Sequence, residues 1–136
     1  MKVQEIMTTN VECIAPDATI QEAAERMKSL DVGFLPVCEK DRLIGTVTDR
    51  DIVIRGVAEN HDNKTTARKI MTSDVYYCFE GDNIEKCAEH MKEKDVRRML
   101  VLDKNKRLVG VVSLGDISKS QEETAAETLK DITEAA

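Results

Sequence analysis

Two stretches of the chain place a hydroxyl group and a carboxylate at the same spacing. Arg42–Val57 and Arg107–Ile117 each contain a glycine, a hydroxyl residue three positions later and an aspartate three positions after that. At such a turn, N–H and hydroxyl groups can donate to phosphate, and a carboxylate can accept hydrogen bonds from sugar hydroxyls. The repeated spacing therefore predicts a site for phosphate and sugar groups. Its side chains are Thr48 and Asp51 in the first stretch, and Ser113 and Asp116 in the second.

Both stretches are typical of a strand that runs directly into a helix. Leu43 to Val47 is apolar and β-branched, and Thr48 has the side chain of a helix N-cap. Asp49 and Asp51 then fall in the first helical turn, where the helix dipole stabilises carboxylates. Capping alone is the alternative function for all these groups, and it is a strong one for Thr48 and Ser113. For the two motif aspartates, the repetition of the spacing favours ligand binding.

The overall composition excludes some functional classes. The chain has 136 residues, a formal net charge of −6 and no apolar run approaching the ~20 residues that a membrane span needs. An acidic chain disfavours nucleic-acid binding, which depends on clustered Lys and Arg. Met1 to Asn10 also lacks the apolar core of a signal peptide. We therefore expect a soluble, cytoplasmic protein that contacts neither membrane nor nucleic acid.

The four cysteines are scattered and include no C-x-x-C pair. This pattern fits reduced, mostly buried thiols better than a disulfide framework or a metal site. A zinc site remains a minor alternative. Two of the cysteines lie at nearly equivalent positions of a repeat, and a histidine could bind the same zinc ion as a third ligand. The cysteines are Cys13, Cys38, Cys78 and Cys87, and the alternative zinc ligands would be Cys13, Cys78 and His61.

An internal repeat with an offset of about 64 residues organises the chain. Ile6-Met7-Thr8 recurs as Ile70-Met71-Thr72, and the amphipathic pattern of Ile20–Leu30 recurs from Ile84. Thr19 is the predicted cap of the first of these helices. The repeat predicts a first domain over 1–60, a linker over 61–69, a second domain over 70–118 and an acidic C-terminal helix or tail over 119–136.

The order of these motifs resembles a known family, the tandem CBS-domain pair or Bateman module. The resemblance rests on the duplicated Ile-Met-Thr, on Val-Gly-Phe-Leu-Pro-Val at Val32–Val37, and on Gly-x-x-[Ser/Thr]-x-x-Asp in both halves. The chain is similar in particular to small stand-alone bacterial CBS-pair proteins, including hypoxic response protein-like members. This resemblance implies an α/β (α+β) fold with two β-α-β-β-α domains packed in pseudo-twofold symmetry. It also implies two clefts between the domains and a homodimer.

The resemblance further implies roles for individual residues. The motif aspartates, Asp51 and Asp116, would accept hydrogen bonds from ribose, and the hydroxyls of Thr48 and Ser113 would contact ribose or the α-phosphate. Adenine would be bound by backbone groups of two segments and flanked by two others. The adenine-binding segments are Val32, Gly33, Phe34, Leu35 and Pro36, and Val96, Arg97, Arg98, Met99 and Leu100; the flanking segments are Ile14, Ala15 and Pro16, and Cys78, Phe79 and Glu80.

The second half departs from the family pattern. Arg97 and Arg98 stand where the first half has Gly33 and Phe34, and they add two donors suited to phosphate. Leu114-Gly115 replaces Asp49-Arg50, which removes one carboxylate near a polyanion. We therefore rank the second site as the phosphate holder. The alternative is that the two arginines pair with acidic neighbours, Glu93 or Asp95, on a solvated face.

The sequence thus predicts a non-catalytic regulatory sensor. It would bind AMP, ADP, ATP or a similar adenosine nucleotide in the clefts, require no cofactor, and signal to a protein partner by a conformational change. Catalysis is disfavoured because His61 and His90 are the only near-neutral acid–base groups and no nucleophile motif is present. The alternative function is an interaction or structural module with empty or metal-occupied clefts.

Overall fold

The structure is a computed structural model that describes residues 1–122. The chain forms two compact units. The first unit is Glu12–Val75, and the second unit combines Met1–Val11 with the chain from Tyr76 onward. The part of the predicted C-terminal helix or tail beyond residue 122 lies outside the described residues. Among the helices of residues 1–122, none is long and apolar enough to cross a membrane.

The N-terminal segment packs with the second half of the chain. The Val3 N–H donates to the Asp82 carbonyl at 2.8 Å, the Gln4 N–H donates to the Glu80 carbonyl at 3.0 Å, and Val3 is fully buried. The repeat in the sequence and the units that pack together therefore have different boundaries. Residues 70–75, which begin the predicted second domain, pack within the first unit.

The first unit contains two strands and a set of helical segments. The strands β1 and β2 are antiparallel, with an irregularity between Val37 and Cys38. The predicted first strand near Val11–Ile14 is reduced to a single parallel bridge from Ile14 to Val37. In chain order the elements are α1 (Ile20–Leu30), β1 (Phe34–Glu39), β2 (Arg42–Thr48), α2 (Asp49–Asp51), a π-helical turn (Ile52–Val57) and α3 (Ala67–Ile70).

Helix α1 has the bounds and the cap that the sequence predicts. The Glu22 N–H donates to Thr19 Oγ1 at 3.1 Å, and the Glu22 carboxylate accepts the Thr19 N–H in return. The helix ends at Asp31, whose φ of 55° lies in the left-handed region. Its apolar face is buried through Ile20, Ala23 and Met27.

The second unit has the β-α-β-β-α order expected of each half. Strand β4 lies between β3, which is parallel to it, and β5, which is antiparallel. Helix α5 starts at residue 114 and is described to residue 122. The elements are a 3-10 turn (Val3–Glu5), β3 (Tyr77–Phe79), α4 (Ile84–Lys94), β4 (Arg98–Leu102), β5 (Leu108–Ser113) and α5. The mixed α/β class predicted from the sequence is confirmed.

Each unit has its own hydrophobic cluster, built from one helix face, the inner strand positions and an Ile-Met-Thr segment. Burial of these side chains removes apolar surface from water, at about 25 cal/mol per Å². The first cluster is Ile14, Ile20, Ala23, Met27, Leu35, Val37, Val47, Ala67 and Ile70. The second is Val3, Cys78, Ile84, Cys87, Met91, Met99, Val101, Val112 and Ile117.

The motif glycines allow the Ile-Met-Thr segments to approach the strands closely. Thr72 forms a bridge to Thr46 of β2, and Thr8 forms the equivalent bridge to Val111 of β5. A Cβ atom at Gly45 would lie 2.8 Å from the Thr72 carbonyl oxygen, and one at Gly110 would lie 2.9 Å from the Thr8 carbonyl oxygen. The glycine of each motif is thus explained by backbone packing, independently of any ligand.

We predict that Gly45→Ala and Gly110→Ala each lower the free energy of unfolding by about 1–3 kcal/mol, because the added methyl overpacks a backbone contact. Urea unfolding followed by circular dichroism measures this loss. Gly81→Ala is the matched control, since a Cβ there meets nothing within 4 Å, and it should change stability by less than about 0.5 kcal/mol. Equal effects at all three positions would contradict the packing explanation.

Candidate functional site

The first motif turn is closed by two reciprocal hydrogen bonds. The Asp51 N–H donates to Thr48 Oγ1 at 3.0 Å, and the Thr48 N–H donates to Asp51 Oδ2 at 3.0 Å. The Asp49 N–H donates to the Gly33 carbonyl at 2.9 Å, which attaches the start of α2 to the segment before β1. Thr48 is therefore the N-cap predicted from the sequence, and one oxygen of Asp51 is committed to the turn.

A guanidinium occupies the other oxygen of Asp51. Arg55 Nη2 donates to Asp51 Oδ1 at 2.8 Å and to Thr72 Oγ1 at 2.7 Å. Thr72 Oγ1 lies 3.4 Å from both carboxylate oxygens of Asp51. The side chain of Asp51 is only 14% exposed, whereas that of Arg55 is 42% exposed. Both oxygens of this carboxylate are therefore engaged by the protein itself.

The second motif turn repeats the cap. The Asp116 N–H donates to Ser113 Oγ at 3.0 Å, and the Ser113 N–H donates to Asp116 Oδ2 at 2.9 Å. The Leu114 N–H donates to the Arg97 carbonyl at 2.8 Å, as Asp49 does to Gly33 in the first unit. The local backbone of the two sites is therefore the same, although their side chains differ.

The two sites differ at the residue four positions after the aspartate. Arg55 in the first unit corresponds by the repeat to Ser120 in the second, and Ser120 is buried. Within residues 1–122, the ion pair between Arg55 and Asp51 has no counterpart at Asp116. The carboxylate of Asp116 thus has one oxygen in the cap and one that no described cation occupies.

Backbone groups in the predicted adenine-binding segments are partly used by the fold. The N–H groups of Val32 and Val96 each donate at 3.0 Å to the helix that precedes them, and the carbonyls of Gly33 and Arg97 accept from the motif helices. The strand residues of both segments then pair with the motif strand, from Phe34 opposite Thr48 and from Arg98 opposite Ser113. The side chains of Leu35, Pro36, Met99 and Leu100 are buried.

The predicted flanking segments lie beside the same strands. Ile14 donates its N–H to the Pro36 carbonyl at 2.9 Å, and the Pro16 carbonyl accepts from Arg68 at 3.0 Å. In the second unit, Cys78 lies opposite Val101 in the parallel pair of β3 and β4. Ala15 and Phe79 are exposed and Glu80 is half-buried. Each unit therefore brings its flanking segment next to its own adenine-binding segment.

The two arginines of the second unit are both exposed. Arg97 lines an open groove of about 710 Å³ together with Val96 and Leu114. Among residues 1–122, no ion pair joins Arg97 to Glu93 or Asp95, although Asp95 lines the same groove. The guanidinium of Arg97 is therefore available to an anion at the start of β4.

Cysteines pair within units and not at a metal centre. Cys13 Sγ lies 2.7 Å from Cys38 Sγ in the first unit, and Cys87 Sγ lies 3.5 Å from Cys78 Sγ in the second. In the described part of the chain, no group of three or more His, Cys, Asp or Glu residues could hold a metal ion. His61 lies 3.9 Å from a Glu59 carboxylate oxygen. Within a unit, the described residues therefore do not provide a zinc site.

Sequence reasoning did not identify Arg55 and Thr72 as parts of the first site. The signal for Arg55 was local, because a basic residue four positions after Asp51 lies on the same helix face. The signal for Thr72 was its place in the duplicated Ile-Met-Thr, but its contact with Asp51 spans 21 residues of sequence and could not be read from spacing alone.

Comparison with known proteins places the chain in a family. A family model for the CBS domain matches residues 3–56 and 67–123. The chain belongs to the CBS domain family. It is 37% identical to the CBS domain-containing protein YhcV of Bacillus subtilis over 133 residues, which are 96% of this chain and 94% of that protein. It is 39% identical to Hypoxic response protein 1 of Mycobacterium tuberculosis, over 90% of this chain and 86% of that protein.

Solved structures give the same family. A crystal structure of Hypoxic Response Protein I with two coordinated zinc ions matches with a TM-score of 0.79 and 38% identity, over 88% of this chain and 98% of that one. The CBS domain pair of protein MJ0100, in complex with 5-methylthioadenosine and S-adenosyl-L-methionine, matches with a TM-score of 0.78 and 26% identity, over 91% and 98%. The predicted resemblance to stand-alone CBS-pair proteins, including hypoxic response proteins, is confirmed.

The caps themselves are testable without a ligand. We predict that Thr48→Ala and Ser113→Ala each cost about 1 kcal/mol of unfolding free energy, because each leaves the N–H of an aspartate without its acceptor. Thr48→Ser and Ser113→Thr keep the hydroxyl and should recover most of that loss. Chemical denaturation of the four variants measures these differences. Loss of stability in the conservative pair as well would show that the hydroxyl is not the group that matters.

Proposed function

We propose that the chain is a cytoplasmic, non-catalytic regulatory module that binds an adenosine nucleotide at the second motif turn. The observation that carries this proposal is the carboxylate of Asp116. One of its oxygens is held by the Ser113 N–H, and no described cation pairs with the other. A fixed carboxylate with an available oxygen is suited to accept hydrogen bonds from ribose hydroxyls.

The neighbouring groups suit the rest of a nucleotide. Arg97 is exposed at the start of β4, and its guanidinium can donate two hydrogen bonds to a phosphate. The start of α5 adds the positive end of a helix dipole next to Ser113. Of the predicted base-binding segments, the half-buried Val96 and the exposed Phe79 have the apolar side chains that would contact the base. Under this proposal AMP, ADP or ATP binds, and no bond in the nucleotide is broken.

The similarity to the MJ0100 domain pair supports the choice of an adenosine ligand. The two compounds in that complex share an adenosine group and differ in what is attached to its sulfur. A domain pair of the same fold can therefore bind adenosine compounds with different 5′ substituents. In this chain, Arg97 favours an anionic substituent, which is why we propose a nucleotide over a thioether.

The first motif turn is proposed as the weaker site. Its aspartate already has a partner on each oxygen, so a ribose would have to compete with Arg55 for the carboxylate. The Arg55 side chain is substantially exposed, and ion pairs of that kind contribute at most about 1 kcal/mol. Competition from Arg55 would therefore weaken binding by several-fold without abolishing it.

We predict that Asp116→Asn weakens binding of the preferred nucleotide by about tenfold or more, because a hydrogen bond to a charged acceptor contributes about 1.5–3 kcal/mol. Isothermal titration calorimetry with AMP, ADP, ATP and S-adenosylmethionine measures this change. Asparagine retains an oxygen that can accept the Ser113 N–H, so the helix cap and the fold should persist in this variant.

Asp51→Asn is the matched control, since it makes the same chemical change at the equivalent position of the first unit. It should leave the main dissociation constant within about twofold of the wild-type value. The opposite result, with binding lost in Asp51→Asn and kept in Asp116→Asn, would assign the working site to the first unit. Absence of binding by all four compounds would overturn the proposed function itself.

A module that binds a metal is the second candidate function. It is favoured by the two coordinated zinc ions of Hypoxic Response Protein I. The described residues of this chain do not gather three metal ligands, so we assign no residue to zinc. The same calorimetric titration with zinc chloride, in place of nucleotide, separates the two candidates.

Signalling would require a protein partner, which is unidentified. We propose that the chain binds this partner as a homodimer. The π-helical turn exposes three apolar side chains, Val53 at 55%, Ile54 at 47% and Val57 at 66%. Apolar groups exposed together on one turn favour association over solvation. This surface is the candidate for contact with a second copy of the chain.

We predict that Val57→Glu shifts the chain from dimer to monomer, because it places a charge at the most exposed of these three apolar side chains. Sedimentation velocity over a concentration series measures the shift. Asn63→Glu adds the same charge at an exposed polar position and should leave the distribution unchanged. A dimer that persists in Val57→Glu would place the contact elsewhere.

A further inference from the structure

Two thiols of the first unit lie within reach of a covalent bond. Cys13 Sγ and Cys38 Sγ are 2.7 Å apart, although 25 residues separate them in the sequence. The backbone holds them together, because the Ile14 N–H donates to the Pro36 carbonyl at 2.9 Å and the Cys38 N–H donates to the Ile14 carbonyl at 3.0 Å. A disulfide joins sulfur atoms about 2.05 Å apart. Closure of the bond therefore needs a shift of well under an ångström.

The second unit provides an internal comparison. Cys78 and Cys87 also face each other, but their sulfur atoms are 3.5 Å apart and the residues are only 4% and 1% exposed. Cys13 and Cys38 are instead half-buried, which leaves solvent access to the pair. The two pairs thus differ in both distance and access, and only the first combines the features that oxidation needs.

We propose that Cys13 and Cys38 are an oxidation site at which a peroxide converts two thiols into a reversible intramolecular disulfide. The sequence predicts four reduced, mostly buried thiols, and this proposal assigns a different chemistry to two of them. It does not depend on any nucleotide bound by the chain.

The reaction balances with hydrogen peroxide as the two-electron oxidant. The Cys13 thiolate attacks one peroxide oxygen and breaks the O–O bond, which gives a sulfenic acid at Cys13 and releases hydroxide that is protonated to water. The Cys38 sulfur then attacks the Cys13 sulfur, the S–O bond breaks, and the oxygen leaves as a second water with the Cys38 proton. Two molecules of a small thiol reverse the bond by exchange and are themselves oxidised to their disulfide.

The order of attack follows from the contact between the two sulfur atoms. A hydrogen bond from the Cys38 thiol stabilises the thiolate of Cys13 and lowers its pKa, although burial and the nearby Asp41 carboxylate oppose this effect. The same hydrogen bond raises the pKa of Cys38, and burial adds to it. We therefore propose Cys13 as the attacking sulfur and Cys38 as the sulfur that resolves the sulfenic acid, an order that the dimedone experiment below distinguishes from its reverse.

The new bond would change a defined part of the fold. In the first unit, the chain between Glu12 and α1 contacts β1 through the bridge between Ile14 and Val37. A disulfide next to that bridge would hold the segment on β1 even when its two hydrogen bonds open. Amide exchange at Ile14 and Cys38 should therefore slow on oxidation, whereas exchange in β4 and β5 should not.

The test treats the full chain with a few equivalents of hydrogen peroxide, then alkylates the remaining thiols and measures intact mass and peptide masses. The expected product lacks two hydrogen atoms, has lost two of its four alkylatable thiols, and contains one cross-link between the peptides that carry Cys13 and Cys38. Dithiothreitol should restore all four thiols. Peptide mapping locates the bond in the wild-type chain, so the result does not depend on a variant that folds.

Two variants sharpen the assignment. Cys38→Ser should retain a sulfenic acid at Cys13 that a dimedone probe traps, and Cys87→Ala should form the disulfide as the wild type does. The proposal is overturned if the cross-link maps to Cys78 and Cys87, if peroxide yields no intramolecular disulfide, or if oxidation leaves the Ile14 and Cys38 amides exchanging at their original rates.

Discussion

The reciprocal hydrogen bonds between a hydroxyl residue and an aspartate three positions later govern both halves of this molecule. They convert a strand into a helix within one residue and hold the aspartate in a single orientation. The same bonds that make the turn also engage one carboxylate oxygen, so the other oxygen is the less committed acceptor for a ligand. Under the proposed function, the partner of that second oxygen therefore affects how readily each half accepts a ligand.

A single difference between the repeats changes that state. Arg55 reaches back one turn to Asp51 and is itself supported by the hydroxyl of Thr72. Ser120, at the corresponding place in the second unit, is too short to make such a bridge. The two halves thus share the cap, whereas only the carboxylate of the first half is paired with a cation among the described residues. Under the proposed function, this electrostatic difference would let the two halves respond to different ligands, or to one ligand at different concentrations.

Local signals predicted most of the elements, and non-local contacts account for the differences. Helix α1 was predicted at its observed bounds because its cap, its apolar period and its end are encoded within twelve residues around Thr19 to Leu30. The packing of Met1–Val11 with the second half could not be predicted from the repeat. A repeat shows which residues of the two halves are equivalent, but it does not show which segments contact each other. The π-helical turn at Ile52–Val57, with its Ala58 N–H bonded to the Val53 carbonyl, carries no sequence pattern that distinguishes it from an α-helix. The sulfur contact between Cys13 and Cys38 likewise depends on a bridge that spacing does not specify.

The repeated motif can be separated into parts that the fold explains and a part that it does not. The glycines are required because a neighbouring backbone passes within contact distance of them, and the hydroxyls are required because they accept the first free N–H of a helix. Neither the close backbone approach at the glycine nor the helix cap requires an aspartate in particular. Other side chains can accept the N–H of the cap, and the glycine needs no carboxylate near it. Its charge is therefore the component left for function. In the second unit, no described cation pairs with that carboxylate, and the exposed Arg97 is joined to the start of α5 through its carbonyl. A site for a ligand with both hydroxyls and phosphate would need these two groups. A ligand bound there can shift the conformation of the module only to the extent that it binds one conformation more tightly than another. Regulation under the proposed function therefore depends on contacts with the ligand that form in one conformation and not in the other.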